Sequence, residues 1–257
     1  MITLAANVGF IWDIDGVVID SPHEEAWRIT VMKEPWNADG LSSDFYFTHV
    51  ASRPRYEGAH SILELKGIYQ RLGATTEGDK RKLLERYATQ KDTLIKDLIE
   101  RGEFNLFTDA VALLLEVRRA GILQAAASAS KNASRMLKNV PRSRVVRELG
   151  DDFGVLGEGE TLYSIFDVDA CGIDVGGKAE ILRFAAGRLT ALSKGEIERF
   201  TVFEDAPSGL EAAKSLGYSA VGALRIGDRK ALEEAGADIV TEDLRTITVE
   251  DLLQMAR

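Results

Sequence analysis

Three apolar residues, Phe10, Ile11 and Trp12, run straight into Asp13, and a second apolar run, Val17 to Ile19, follows Asp15 and Gly16. An apolar run without polar alternation predicts a strand buried on both faces, as in a parallel sheet. After Ser21 the period changes. HEEAWRITVMKEPW predicts a helix up to Pro35, with Pro22 suited to a first helical turn. Asn37–Ser43 reads as loop, and Tyr56–Lys66 and Asp79–Arg101 read as helices. In the last of these, Leu84, Ala88, Lys91, Ile95, Leu98 and Ile99 fall on one face, so Lys91 interrupts an otherwise apolar stripe.

From Asn105 onward the pattern alternates. Helices are predicted over Asp109–Ala120, Lys131–Lys138, Lys178–Leu189, Ser208–Leu216 and Lys230–Ala235. Strands are predicted over Ile122–Ala127, Ser164–Val168, Phe200–Glu204, Ser219–Leu224 and Asp238–Val240. Such alternation predicts an α/β fold with a doubly wound parallel sheet. Residues 22–102 carry helices and no good strand, so the simplest assembly is a core of residues 1–21 and 103–257 with a helical module, residues 22–102, inserted after the first strand. Pro141–Gly177 fits this alternation least; its GDDFGVLGEGE stretch is acidic and Gly-rich and reads as loop.

Composition narrows the class. The 257 residues are 45% hydrophobic and 28% charged, as in an ordinary globular protein, and allow one large or two modest domains. The net charge of −9 argues against a nucleic-acid or anionic-membrane partner, though not against a small anionic substrate. The single Cys171 excludes intramolecular disulfides and multi-cysteine metal sites. No apolar stretch approaches the ~18 residues of a membrane span. The start MITLAANVGFIWDID has neither a basic run nor a cleavage site, so no signal peptide is expected and a cytoplasmic, monomeric enzyme is the default.

In open α/β sheets ligands bind beyond the carboxyl ends of the strands, which is where Asp13 and Asp15 stand. Residues two apart share a face while strand geometry lasts, and two carboxylates ~4 Å apart at an effective dielectric near 20 repel by about 4 kcal/mol. The pair therefore calls for a cation and points to Mg²⁺ and phosphate chemistry. A carboxylate can attack phosphorus, and a second one can protonate the leaving oxygen. Glu204 and Asp205 form another acidic pair at the end of a predicted strand, and with Asp13 and Asp15 give an oxygen cluster suited to Mg²⁺. Ser128 ends the strand ILQAAA before Ala129, Ser130, Lys131 and Asn132; it reads equally as a phosphate ligand or a helix N-cap. Lys178 opens a helix after Gly176 and Gly177, against the helix dipole, and is either an anion ligand or a solvated surface lysine. His23, Arg55 and Lys91 are the candidates in the helical insertion, each of which also reads as structural, a surface charge or a snorkelling side chain.

In this order the residues resemble the haloacid dehalogenase superfamily of phosphotransferases. DIDGVVIDS resembles its first motif, SASKNA the second, Lys178 the third and VFEDAPSGLEAAKSLG the fourth. The helical insertion is similar to its cap domain. Within the superfamily the chain most resembles β-phosphoglucomutases and related sugar-phosphate phosphatases: HEEAW resembles the start of their cap, SRPRYEG their cap loop and ATQKD their cap lysine segment. The resemblance implies Asp13 as nucleophile and Asp15 as general acid/base. It implies Mg²⁺ held by Asp13, Asp205 and the Asp15 carbonyl, with Glu204 beside it. Ser128, Ala129 and Lys178 would bind the transferring phosphoryl group, and His23, Arg55, Lys91, Ser130, Lys131 and Asn132 the substrate, a small phosphorylated sugar. Three departures stand out: a Ser21–His23 link about two residues short, GGKAEIL in place of a proline-rich third motif, and a longer, more acidic Val140–Gly176.

The implied activity is a phosphomutase, favoured by three basic positions in the insertion, or a sugar-phosphate phosphatase. Two rivals are a non-enzymatic phospho-acceptor, which has no use for Asp15 or an inserted module, and a dehalogenase, which would lack the Asp15 carboxyl.

Overall fold

The computed structural model describes residues 7–50, 53 and 55–255. The first six residues, on which the absence of a leader was partly read, and Ser52 and Pro54 of SRPRYEG lie outside the described residues. In chain order the elements are β1 Val8–Trp12, β2 Ile19–Asp20, α1 His23–Met32, α2 Ser43–His49, α3 Arg55–Leu65, α4 Ile68–Arg71, α5 Glu77–Glu100, β3 Asn105–Leu106, α6 Thr108–Arg119 and β4 Gln124–Ala126. There follow α7 Ala133–Lys138, α8 Arg142–Leu149, β5 Val168–Asp169, α9 Lys178–Leu192, β6 Arg199–Glu204, α10 Pro207–Ser215, β7 Ser219–Ala223, α11 Arg229–Glu234, β8 Ile239–Thr241 and α12 Val249–Met255. The chain divides into two compact units, one running to Asp20 and resuming at Asn105, the other Ser21–Phe104.

The α/β unit is built on a six-stranded sheet in the order β5-β4-β1-β6-β7-β8. Every pairing in it is parallel. All five residues of β1 are buried, as its apolar run requires. Strand order reverses around β1: the chain goes outward to β4 and β5, then returns to β6 on the other side, which makes the carboxyl edge at β1 the switch point where such sheets bind ligands. Trp12 lies in register with Ala126 on β4 and Phe203 on β6, so Asp13, Ala127 and Glu204 stand at one level at the carboxyl edge. The Trp12 and Phe203 rings stack 3.7 Å apart, and Trp12 Nε1 donates to Gln124 Oε1 at 2.8 Å. Ile181, Leu182 and Leu189 of α9 and Leu210 of α10 pack with Ile11 and Val202 in the core.

A separate antiparallel pair, β2 with β3, joins Ile19 to Leu106 and Asp20 to Asn105. These two-residue strands are too short to leave an alternation in the sequence. Among its described residues the second unit carries helices and no strand, with a core that includes Trp27, Val31, Trp36, Ile62 and Tyr87. No described helix is long and apolar enough to cross a membrane.

Ile68–Arg71 and Val249–Met255 are helices the sequence reading did not include, and three further elements differ from it. Ser164–Val168 is not a strand: Leu162–Ile165 forms a 3₁₀ turn, and only Val168–Asp169 joins the sheet. Leu162 and Ile165 are both buried three residues apart, a helical rather than an alternating spacing. Arg142–Leu149 is helical although it buries only Val145 among its residues; Val145, Val146 and Leu149 are its only apolar positions, and Arg144 pairs with Glu148 one turn on at 2.7 Å. Ser43–His49 is also a helix, capped by Ser42.

Candidate active site

Asp13 follows β1 by one residue, and its N–H still donates to Phe203 O at 2.9 Å, so the sheet holds its backbone. The chain then turns: Val18 and Ile19 N–H both reach Ile14 O, and Gly16 N–H reaches Ile19 O at 2.8 Å. Gly16 has φ +91°, and a Cβ there would stand 2.1 Å from Asp205 Oδ2, so both conformation and space demand glycine. The turn directs Asp15 to Ser128, whose Oγ donates to Asp15 Oδ2 at 3.0 Å.

Lys178 opens α9 behind Gly176 and Gly177, whose φ values are +91° and +129°. Its Nζ lies 2.5 Å from Asp13 Oδ1, 2.5 Å from Glu204 Oε1 and 3.1 Å from Ala127 O. Three acceptors match the three donors of an ammonium group. Of the two sequence readings, a solvated surface lysine is therefore excluded in this structure. Glu204 is further held by the N–H groups of Asp205 and Ala206, at 3.2 and 3.4 Å. It passes directly over Gly209, where a Cβ would fall 2.1 Å from the carboxyl carbon.

Three carboxylates crowd this edge. Asp13, Glu204 and Asp205 each offer an oxygen within 4.8 Å of the others. Burial and the charges of Glu204, Asp205 and Asp15 hold Asp13 well above the ordinary carboxylate range, opposed by Lys178. Burial and Glu204 push Asp205 up to about 7. Burial would depress Lys178, but Asp13 and Glu204 outweigh it and raise its pKa. One ammonium facing three carboxylates leaves negative charge in a low-dielectric place, and an all-oxygen donor set suits a hard divalent cation. The distribution differs from the expectation that Asp13 and Asp15 form the crowded pair: Glu204 and Asp205 act on Asp13 more strongly than Asp15 does, because strand geometry ends at Trp12 and the Asp15 carboxylate turns to Ser128.

Beyond Ser128 the loop closes on its own hydroxyls. Ser130 N–H donates to Ser128 Oγ at 3.1 Å, and Asn132 N–H to Ser130 Oγ at 3.2 Å. Ala129 and Lys131 are exposed, Ser130 is half-buried and Asn132 is buried. The helix predicted from Lys131 starts at Ala133, since these loop hydrogen bonds occupy its first residues.

The helical unit brings His23 and Lys91 together, with Nζ 2.7 Å from His23 Nδ1. Lys91 does not snorkel to water; it is 3% exposed, and its ammonium lies 4.8 Å from the Trp27 ring centroid. Burial and the charges of Lys91 and Arg55 hold His23 well below 6.5, so it meets Lys91 as a neutral acceptor. Arg55 is exposed and pairs with Asp92 at 2.6 Å.

The haloacid dehalogenase-like hydrolase family matches residues 9–217, which includes every one of these α/β-unit groups. The chain belongs to that family. Like its other members it is an enzyme. Among solved structures this family member is similar to an archaeal β-phosphoglucomutase from the hyperthermophile Pyrococcus sp. strain ST 04, at 37% identity over 96% of this chain and 98% of that one, with a TM-score of 0.77. It shares the fold of a β-phosphoglucomutase from Clostridium difficile at 23% identity, with 96% of each chain covered and a TM-score of 0.63. Two 2-deoxyglucose-6-phosphate phosphatases of Saccharomyces cerevisiae are 43% identical over 51 residues, a match spanning 20% of this chain and 21% of each yeast protein.

Some parts of this haloacid dehalogenase-like site carry no sequence signal of their own. The Ala127 carbonyl that receives Lys178 has no side-chain signature. Gly172, in the long acidic segment, donates its N–H to Ser128 O at 2.8 Å, and a Cβ on it would stand 2.7 Å from Lys131 Cα. That segment thus braces the Ser128–Asn132 loop.

Proposed function

We propose that this protein transfers phosphoryl groups on a small phosphorylated sugar through Asp13, with Mg²⁺ as cofactor and β-phosphoglucomutase chemistry as the favoured form. The observation that carries the reading is Asp13 at the sheet's switch point, buried and held by Lys178 at 2.5 Å, with Asp15 hydrogen-bonded to Ser128 beside it. Asp13 attacks phosphorus and forms an aspartyl-phosphate. Asp15 protonates the leaving sugar oxygen and later takes the proton of the acceptor. Lys178 and the Ser128–Asn132 loop stabilise the charge on the transferring group. Asp13, Asp205 and the Asp15 carbonyl would hold Mg²⁺, with Glu204 beside it, and when bound the ion supplies further neutralisation of that charge. In the helical unit, His23, Lys91 and Arg55 are assigned to the sugar and its distal phosphate.

A mutase and a phosphatase share the first half-reaction and differ in whether a sugar hydroxyl or water attacks the aspartyl-phosphate. The 37% identity to an archaeal β-phosphoglucomutase along nearly the whole chain supports the mutase. The shorter match to the yeast phosphatases supports hydrolysis as the second reading. Incubation with β-glucose 1-phosphate, Mg²⁺ and a trace of glucose 1,6-bisphosphate separates them. Glucose 6-phosphate without matching phosphate release is the expected result, and free phosphate as the main product would transfer the assignment to a phosphatase.

A further inference from the structure

Arg225 leaves the end of β7 on the same edge of the sheet as Asp13, and nothing in its sequence context marks it. Its side chain is 9% exposed. Nη1 donates to Asp109 Oδ2 at 2.9 Å, at the start of α6, and Nη2 donates to the Val17 carbonyl at 3.1 Å. The guanidinium carbon lies 4.1 Å from the Phe107 ring centroid. Asp109 Oδ2 also accepts from Leu244 N–H at 2.9 Å, so the carboxylate that orients Arg225 is itself fixed.

Val17 belongs to the turn that carries Asp15. Within this turn the hydrogen bonds use the carbonyls of Ile14 and Ile19, and Val18 O accepts from Phe107 N–H at 3.1 Å. The Val17 carbonyl is thus the point at which the turn is tied to the loop after β7. On its β1 side Asp15 is anchored by the sheet, and on the other side by Arg225 on Val17 O, by Phe107 N–H on Val18 O and by the β2–β3 pairing. A planar guanidinium reaches a carboxylate and a carbonyl together while stacking on a ring; a lysine ammonium in the same place does not.

We infer that Arg225, oriented by Asp109, is a positioning residue that holds the Asp15 turn in the geometry needed for proton transfer to the leaving oxygen. The inference rests on the proposed acid/base role of Asp15. Proton transfer tolerates little misplacement of the acid, and its absence is felt most by substrates whose leaving group is a poor anion.

The test is a leaving-group series, p-nitrophenyl phosphate, phenyl phosphate and glycerol phosphate, with wild type, Asp15→Asn, Arg225→Lys and the charge-matched double variant Arg225→Met with Asp109→Asn. The double variant leaves no uncompensated buried charge and covers the case in which a single change impairs folding. Hydrolysis of the aspartyl-phosphate, which uses Asp15 alike for every substrate, enters kcat but not kcat/KM, so kcat/KM is read. Nitrophenolate departs without a proton, so Arg225→Lys should lose less than about threefold in kcat/KM on p-nitrophenyl phosphate and on the order of tenfold on phenyl and glycerol phosphates. Asp15→Asn should show the same steepening more strongly. Equal losses across the series in both Arg225 variants, beside a steepened Asp15→Asn, would overturn the positioning role alone. An unsteepened Asp15→Asn would instead remove the acid role of Asp15, and the inference with it.

Discussion

Gly209→Ala sets two effects of opposite sign against each other. Gly209 lies within α10, where alanine is favoured over glycine by about 1 kcal/mol on helix propensity alone. Yet a Cβ at 209 would stand 2.1 Å from both the carboxyl carbon and Oε1 of Glu204. Glu204 cannot yield freely, being 3% exposed and held by Lys178 at 2.5 Å and by the Asp205 and Ala206 N–H groups. Displacing one partner of a buried ion pair costs about 3–5 kcal/mol, so the substitution should destabilise the protein by about 2–4 kcal/mol despite the propensity gain. Urea denaturation of four proteins measures this: wild type, Gly209→Ala, Glu204→Ala and the double variant. Glu204→Ala removes the atoms that the new Cβ would strike, so in that background Gly209→Ala should become neutral or stabilising by up to about 1 kcal/mol. A reversal of sign between the two backgrounds is the expected result. Destabilisation of equal size in both, or a stable Gly209→Ala with wild-type turnover, would refute the claim that Gly209 exists to admit Glu204.

The remaining predictions concern other parts of the site. Gly16→Ala places a side chain at φ +91° and 2.1 Å from Asp205 Oδ2, so Mg²⁺ affinity by calorimetry should fall on the order of tenfold or more; unchanged affinity would detach Asp205 from the metal. His23 is neutral in the fold with its pKa held well below 6.5. The unfolded chain therefore binds the extra proton first, and stability should fall as pH drops below 6.5. In melts at about pH 7.5 and about pH 5.5, His23→Gln should lose less stability on acidification than wild type, and parallel losses would contradict the assignment. Arg55→Ala should impair turnover of glucose 1,6-bisphosphate more than that of p-nitrophenyl phosphate, and equal losses would remove its distal-phosphate role.

What the sequence made legible follows from where each residue stands. Asp13, Glu204 and Asp205 end apolar runs, and Lys178 opens a helix against its dipole, so each announces itself by standing where a structural residue would not. The contact of Asp15 with Ser128 joins residues 113 positions apart and has no local signature. Lys91 left snorkelling open because periodicity reports a face, not what lies opposite, and that is His23 and the Trp27 ring. Arg142–Leu149 went unread because half of its eight residues are charged and only Val145 is buried, and Arg225 because a single arginine in a loop has no period.

The most direct test of the account is to trap the phospho-enzyme. Protein with Mg²⁺ is mixed with glucose 1,6-bisphosphate, quenched within the first turnover, reduced with borohydride and mapped by mass spectrometry. The account predicts homoserine at position 13, the reduction product of an aspartyl-phosphate, and neither homoserine nor turnover in Asp13→Asn. Turnover without modification at Asp13, or modification at a different carboxylate, would contradict it.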